Sequence, residues 1–165
     1  MRLPARAPVR MAVVIAALVA AQFALRPRLG DPRYAPDFLL VALLFFAVRA
    51  RPMAGTIAGF LLGLVSDAVA PAAFGAGAFA LTVVGYAAGW LKALVFADNL
   101  LVTALFVFGA GWVRDAIEVL LARQLEGGAL AWQLLVTSPL AALSTAAAAA
   151  LTLLLYRGWG RLRPA

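Results

Sequence analysis

PDFLLVALLFFAVRARPMAGTIAGFLLGLVSD, residues 36–67, holds two apolar runs joined by an arginine-containing turn. The first run is free of charge over 38–48 and the second over 52–66. RARP between them reads as a tight turn, with Pro52 suited to the first position of a helix because its missing N–H would have no helical partner there. The pair therefore reads as a helical hairpin. In its second arm Gly55, Gly59, Gly63 and Asp67 recur at intervals of four, so they fall along one stripe of the helix. Glycine is a poor helix former in water, costing about 1 kcal/mol against alanine. A ladder of glycines inside an apolar run makes sense in lipid, where helices associate by close van der Waals packing and small residues let backbones approach.

Composition extends that reading to the whole chain. The 165 residues are 65% apolar and 13% charged, against about a quarter charged in a soluble domain. Six apolar segments are expected, near 10–27, 36–50, 53–70, 76–96, 99–122 and 130–156, forming a single transmembrane domain over 1–165. The second and third are short for a span, and Arg49 and Arg51 can lengthen them by snorkelling. The expected fold is an all-α bundle of six transmembrane helices. Arg2, Arg6 and Arg10 ahead of an apolar run also resemble a signal peptide, but the next turn leads directly into another apolar segment, so a retained helix is expected.

Lysine and arginine orient the bundle. With the N-terminus cytoplasmic, nine cationic residues fall inside (Arg2, Arg6, Arg10, Arg49, Arg51, Lys92, Arg157, Arg161, Arg163) and four outside (Arg26, Arg28, Arg33, Arg123). That asymmetry places both termini in the cytoplasm. Trp90, Tyr156 and Trp159 then fall at inner boundaries, where aromatic belts lie. The net charge of +7 is accounted for by these flanks, so nucleic acid is not an expected partner.

Small residues and charges inside the segments are the candidate sites. Gly55, Gly59 and Gly63 form one small-residue seam, and Gly85 and Gly89 offer a second. Each seam serves packing within the chain or against a partner helix, and the spacing leaves both open. Asp67 lies 15 residues past Pro52, about 22 Å along a helix, and Arg114 lies 15 residues past Asn99, so both reach a similar outer depth. Asp37 starts the second helix after Pro36 on that side, where a carboxylate favours the positive end of the helix dipole. Asp37, Asp67, Arg114, Asp115 and Glu118 thus make an outer polar cluster. Buried charges in membranes pair with one another, so Asp67 is expected to pair with Arg114, or with Arg33 as the second candidate.

Catalytic chemistry is sparsely provided. The chain has no cysteine and no histidine, which removes thiolate sites and the commonest base and metal ligand. Lys92 is the sole lysine, and the flanks of Asp37 and Asp67 do not suggest an aspartyl dyad. No cofactor, metal site or enzyme activity is expected.

Residues 36–91 carry a resemblance. The acidic helix start at Pro36–Asp37, the arginine turn, the glycines at 55, 59 and 63, Asp67, Phe74–Gly75 and Tyr86 resemble the MreD family of bacterial rod-shape determinants. The resemblance implies a non-catalytic inner-membrane subunit of the cell-elongation machinery. Its implied partners are MreC, a RodA-type glycosyltransferase, a class B penicillin-binding protein and, indirectly, the MreB filament, with membrane lipid around it. It also implies a fold similar to the substrate-binding subunits of energy-coupling-factor transporters. That likeness supplies the alternative, a membrane subunit that binds a vitamin-like small molecule in a closed outer cavity. The short outer loops and the absence of charge over 68–91 favour the scaffold.

Overall fold

The computed structural model describes residues 7–31, 33–69, 74–95, 100–122 and 127–161. They form α1 (Ala7–Ala24), α2 (Phe38–Ala47), α3 (Pro52–Val69), α4 (Ala76–Val95), α5 (Leu100–Ala122), α6 (Gly127–Trp132) and α7 (Ser138–Arg161). A π-helical stretch, Gln133–Thr137, carries α6 into α7, so the described residues make six helical runs with no strand. The expected all-α membrane fold is the fold observed. Of the residues used for orientation, Arg2, Arg6, Arg123 and Arg163 lie outside the described residues, as do the side chains of Lys92, Trp159 and Arg161.

The second helix is shorter than the segment 36–50 suggests. Asp37, not Pro36, is the N-cap, and its carboxylate accepts from the Leu39 and Leu40 N–H groups, so the helix opens at Phe38. At the other end the Arg49 and Ala50 N–H groups close back on the Phe46 carbonyl and turn the chain toward Pro52, the first residue of α3. Ten residues make a helix of about 15 Å, half of a hydrocarbon core about 30 Å thick. Eight of the ten are buried, and α2 touches α1, α3, α4, α5 and α7. A helix apolar on every side belongs at a centre, and α2 is the centre here, with Leu40, Leu43 and Leu81 at its heart.

Length sorts the other helices. Among the described residues, Pro52–Val69, Leu100–Ala122 and the run Gly127–Gly158 are long and apolar enough to cross a membrane, whereas Val9–Ala24, Phe38–Ala47 and Ala76–Leu91 are shorter apolar helices. α3 and α4 pack most extensively, and antiparallel: Gly55 sits against Gly85, Gly59 against Leu81, Gly63 against Ala78, and Gly89 against Pro52. α2 and α7 run parallel, since Asp37 meets Thr145 at one end and Phe45 meets Tyr156 at the other.

Candidate functional site

The seam comes first because it positions the polar cluster. A Cβ added at Gly59 would overlap the Leu81 carbonyl, one at Gly63 the Ala78 backbone, and one at Gly55 the Gly85 carbonyl. Gly55, Gly59 and Gly63 are all buried. Gly85 and Gly89 face the same seam from α4, each with no room for a side chain against Gly55 and Pro52. The two glycine stripes are thus the two halves of one internal contact.

Asp67 continues the α3 stripe one turn further and meets the start of α4. Its Oδ2 accepts from the Gly75 N–H at 2.9 Å and the Ala78 N–H at 2.9 Å, and its Oδ1 from the Gly77 N–H at 3.0 Å. Helix N-termini leave N–H groups unpaired and carry the positive end of the dipole, so a carboxylate there is doubly stabilised. Gly75 adopts φ +99°, which shapes the turn that brings these donors together and which a residue with a Cβ rarely adopts. The expected Asp67–Arg114 and Asp67–Arg33 pairs do not form among the described residues, because three backbone donors satisfy the carboxylate instead.

Arg114 pairs with Asp37. Its Nη1 lies 2.7 Å from Asp37 Oδ2 and 3.4 Å from Asp115 Oδ1, and its Nη2 donates to Glu118 Oε1 at 2.8 Å. Asp37 and Arg114 are buried, while the Asp115 and Glu118 side chains are 21% and 28% exposed and form the rim. Asp37 therefore caps α2 with one oxygen and holds α5 with the other. Its own N–H donates to Thr145 Oγ1 of α7 at 3.0 Å, and the Phe38 N–H donates to Gln22 Oε1 of α1 at 3.0 Å. Four helical runs meet at the start of α2, and its first N–H groups are answered by Gln22 of α1, Thr145 of α7 and the cap residue Asp37 itself.

Gly77 brings the two halves of the cluster together. A Cβ at Gly77 would collide with Asp67 Oδ1 and lie 2.9 Å from Glu118 Oε1, so α4 can pass between these carboxylates only as bare backbone there. Gln22, Thr145 and Gly77 escaped the sequence reading, and Gly75 entered it only through the resemblance. Gln22 is a single polar residue in an apolar run and Thr145 belongs to the pair Ser144–Thr145 in another, and that interruption is the signal they carry.

The arrangement is suited to holding helices. Asp37 and Asp67 each cap a different helix rather than share a proton as a dyad. Among the described residues no group of three or more His, Cys, Asp or Glu could hold a metal ion.

The family model for the rod shape-determining protein MreD matches residues 7–157, nearly the whole chain. No curated protein and no solved structure matches.

Proposed function

The chain belongs to the MreD family of rod shape-determining membrane proteins, and from that premise we propose that it is a non-catalytic scaffold of the bacterial cell-elongation machinery. In this reading it binds MreC and supports peptidoglycan synthesis by a RodA-type glycosyltransferase and a class B penicillin-binding protein. Its link to the MreB filament is indirect. It sits in the cytoplasmic membrane with both termini inside, so the Asp37 end of the bundle faces the periplasm. The nine-to-four distribution of cationic residues supports that orientation.

The family match over residues 7–157 carries the proposal. The geometry supports it: Asp37, Asp67 and Arg114 are engaged inside the bundle, and the outward faces of α3, α4 and α5 carry exposed apolar side chains. Ile57 and Leu61 on α3, Phe79 on α4, and Leu101 and Leu105 on α5 are exposed. Such a surface suits lipid and partner helices rather than a soluble substrate.

Affinity purification of the tagged chain from its native membranes, followed by mass spectrometry, tests the partner. MreC enriched with the chain is the expected result. Intact chain recovered without MreC would contradict the proposal.

A further inference from the structure

Between α2, α5 and α7 a groove of about 210 Å³ runs from one turn past Asp37 toward the opposite end of the bundle. Val41, Leu44, Phe106, Val107 and Leu153 contribute its apolar wall, and Arg49, Tyr156 and Arg157 stand at one end. The lining runs from Val41 to Arg49 along α2 and the turn after it, and from Ala149 to Arg157 along α7, about 12 Å of helical rise in each case. Because α2 and α7 are parallel, both arginines arrive at the same end.

Arg49 is fixed there while remaining exposed. Its Nη1 donates to the Phe45 carbonyl at 2.9 Å, and its guanidinium lies 4.3 Å from the Phe45 ring centre and 5.5 Å from that of Tyr156. A guanidinium has five N–H donors in a planar fork that fits phosphate, so one carbonyl does not exhaust it. Among the described residues the carboxylates Asp31, Asp37, Asp67, Asp115 and Glu118 belong to the opposite end of the bundle or to its loop, while Asp98 and Glu126 lie outside the described residues.

An apolar slot with cations at one end selects an amphiphilic anion. Its volume is below the roughly 300–1,000 Å³ of pockets for drug-sized ligands, and fits part of one acyl chain. We propose that this groove binds an anionic phospholipid of the adjacent leaflet, one acyl chain lying along Val41, Phe106 and Leu153 and the phosphate meeting Arg49 and Arg157. A zwitterionic lipid presents the same phosphate but brings its own cation toward two arginines, so the site discriminates by headgroup charge. With the orientation proposed above, the leaflet is the cytoplasmic one, which is rich in anionic lipid. The binding itself does not rest on that orientation or on the MreC reading.

Native mass spectrometry of the full chain in detergent, titrated with phosphatidylglycerol or phosphatidylcholine of identical acyl chains, tests the site. Phosphatidylglycerol is expected to be retained about tenfold more, because the phosphate contact is common to both lipids and only the choline cation is repelled. The double variant Arg49→Gln with Arg157→Gln should lose that preference. Leu153→Trp, which fills the groove and keeps both arginines, should lower phosphatidylglycerol retention. Equal retention of the two lipids by the unmodified chain, or an unchanged preference in a folded, monodisperse double variant, would overturn the proposal. If the double variant does not purify as a folded protein, Leu153→Trp decides, and undiminished phosphatidylglycerol binding there overturns the proposal. Displacement of the lipid by inorganic phosphate at equal concentration would also overturn it, because the apolar groove would then contribute nothing.

Discussion

Arg114 Nη1 of α5 stands 2.7 Å from Asp37 Oδ2 at the start of α2, with each side chain 7% exposed. The contact follows from the length of α2. A helix of about 15 Å in a hydrocarbon layer about 30 Å thick cannot carry both ends to water. Its N-cap is therefore an internal charge, and Arg114 is the cation that makes it tolerable.

Breaking that pair one side at a time should be severe. Asp37→Ala and Arg114→Ala should each cost about 3–5 kcal/mol, because each strands a buried partner. The double change should cost less than the sum of the two, as coupled partners do. Asp37→Asn should be milder than Asp37→Ala, since asparagine still caps a helix. Thermal unfolding in detergent measures all four, and strict additivity would remove the pair from the account.

Asp67 should behave differently. Its partners are the Gly75, Gly77 and Ala78 N–H groups, so Asp67→Ala strands backbone donors rather than a cation. A loss of about 1–3 kcal/mol is expected. Asp67→Asn, which keeps one acceptor oxygen, should fall between alanine and the native residue. In a cycle with Arg114→Ala the losses should be nearly additive, whereas a large coupling energy would restore a direct pair.

Spacing along the sequence reports height and stripe but not rotation. Helix rise put Asp67 and Arg114 at one depth, and both do reach the polar end. Rise carries no information on the direction in which a side chain leaves its helix, and Asp67 turns toward the first turn of α4 while Arg114 turns toward Asp37. The interval of four marked Gly55, Gly59 and Gly63 as a close-packed stripe. What that stripe faces was not legible, because small residues serve internal and external seams alike, and the answer lies in Gly85, Leu81 and Ala78 across α4. The end of α2 was hidden for another reason. The apolar run continues past Ala47 through Val48, and only the turn hydrogen bonds onto Phe46 stop the helix. The π-helical stretch Gln133–Thr137 has no residue signature, since it differs from its flanks by one bond shift.

Two glycines to alanine separate the seam from ordinary helix. Gly59→Ala places a Cβ on the Leu81 carbonyl and should destabilise the chain, with Gly59→Leu worse. Gly109 of α5 has nothing within 4 Å of an added Cβ, so Gly109→Ala should be neutral or stabilise by up to about 1 kcal/mol. Comparison of their unfolding temperatures checks this, and equal effects would mean that the α3–α4 contact is looser than described.

Trp112 answers the π-helical stretch. Its indole N–H donates to the Leu134 carbonyl at 2.9 Å, tying α5 to the segment that joins α6 and α7. Trp112→Phe keeps an aromatic ring, smaller than the indole, and removes the donor, so a loss of at least about 0.5–1.5 kcal/mol is expected in the same unfolding assay. An unchanged midpoint would show that the bond contributes nothing to stability.

Membership of the MreD family makes this chain a rod shape-determining membrane protein, and the scaffold role proposed above requires that rod shape depend on it. Depletion of this chain in its native cell, with cell width and length followed by microscopy, tests that dependence most directly. Cells should widen and round as the protein is lost, and re-expression of the native chain should return them to rods. Cells that keep their shape and dimensions after the protein has disappeared from the membrane would contradict the account.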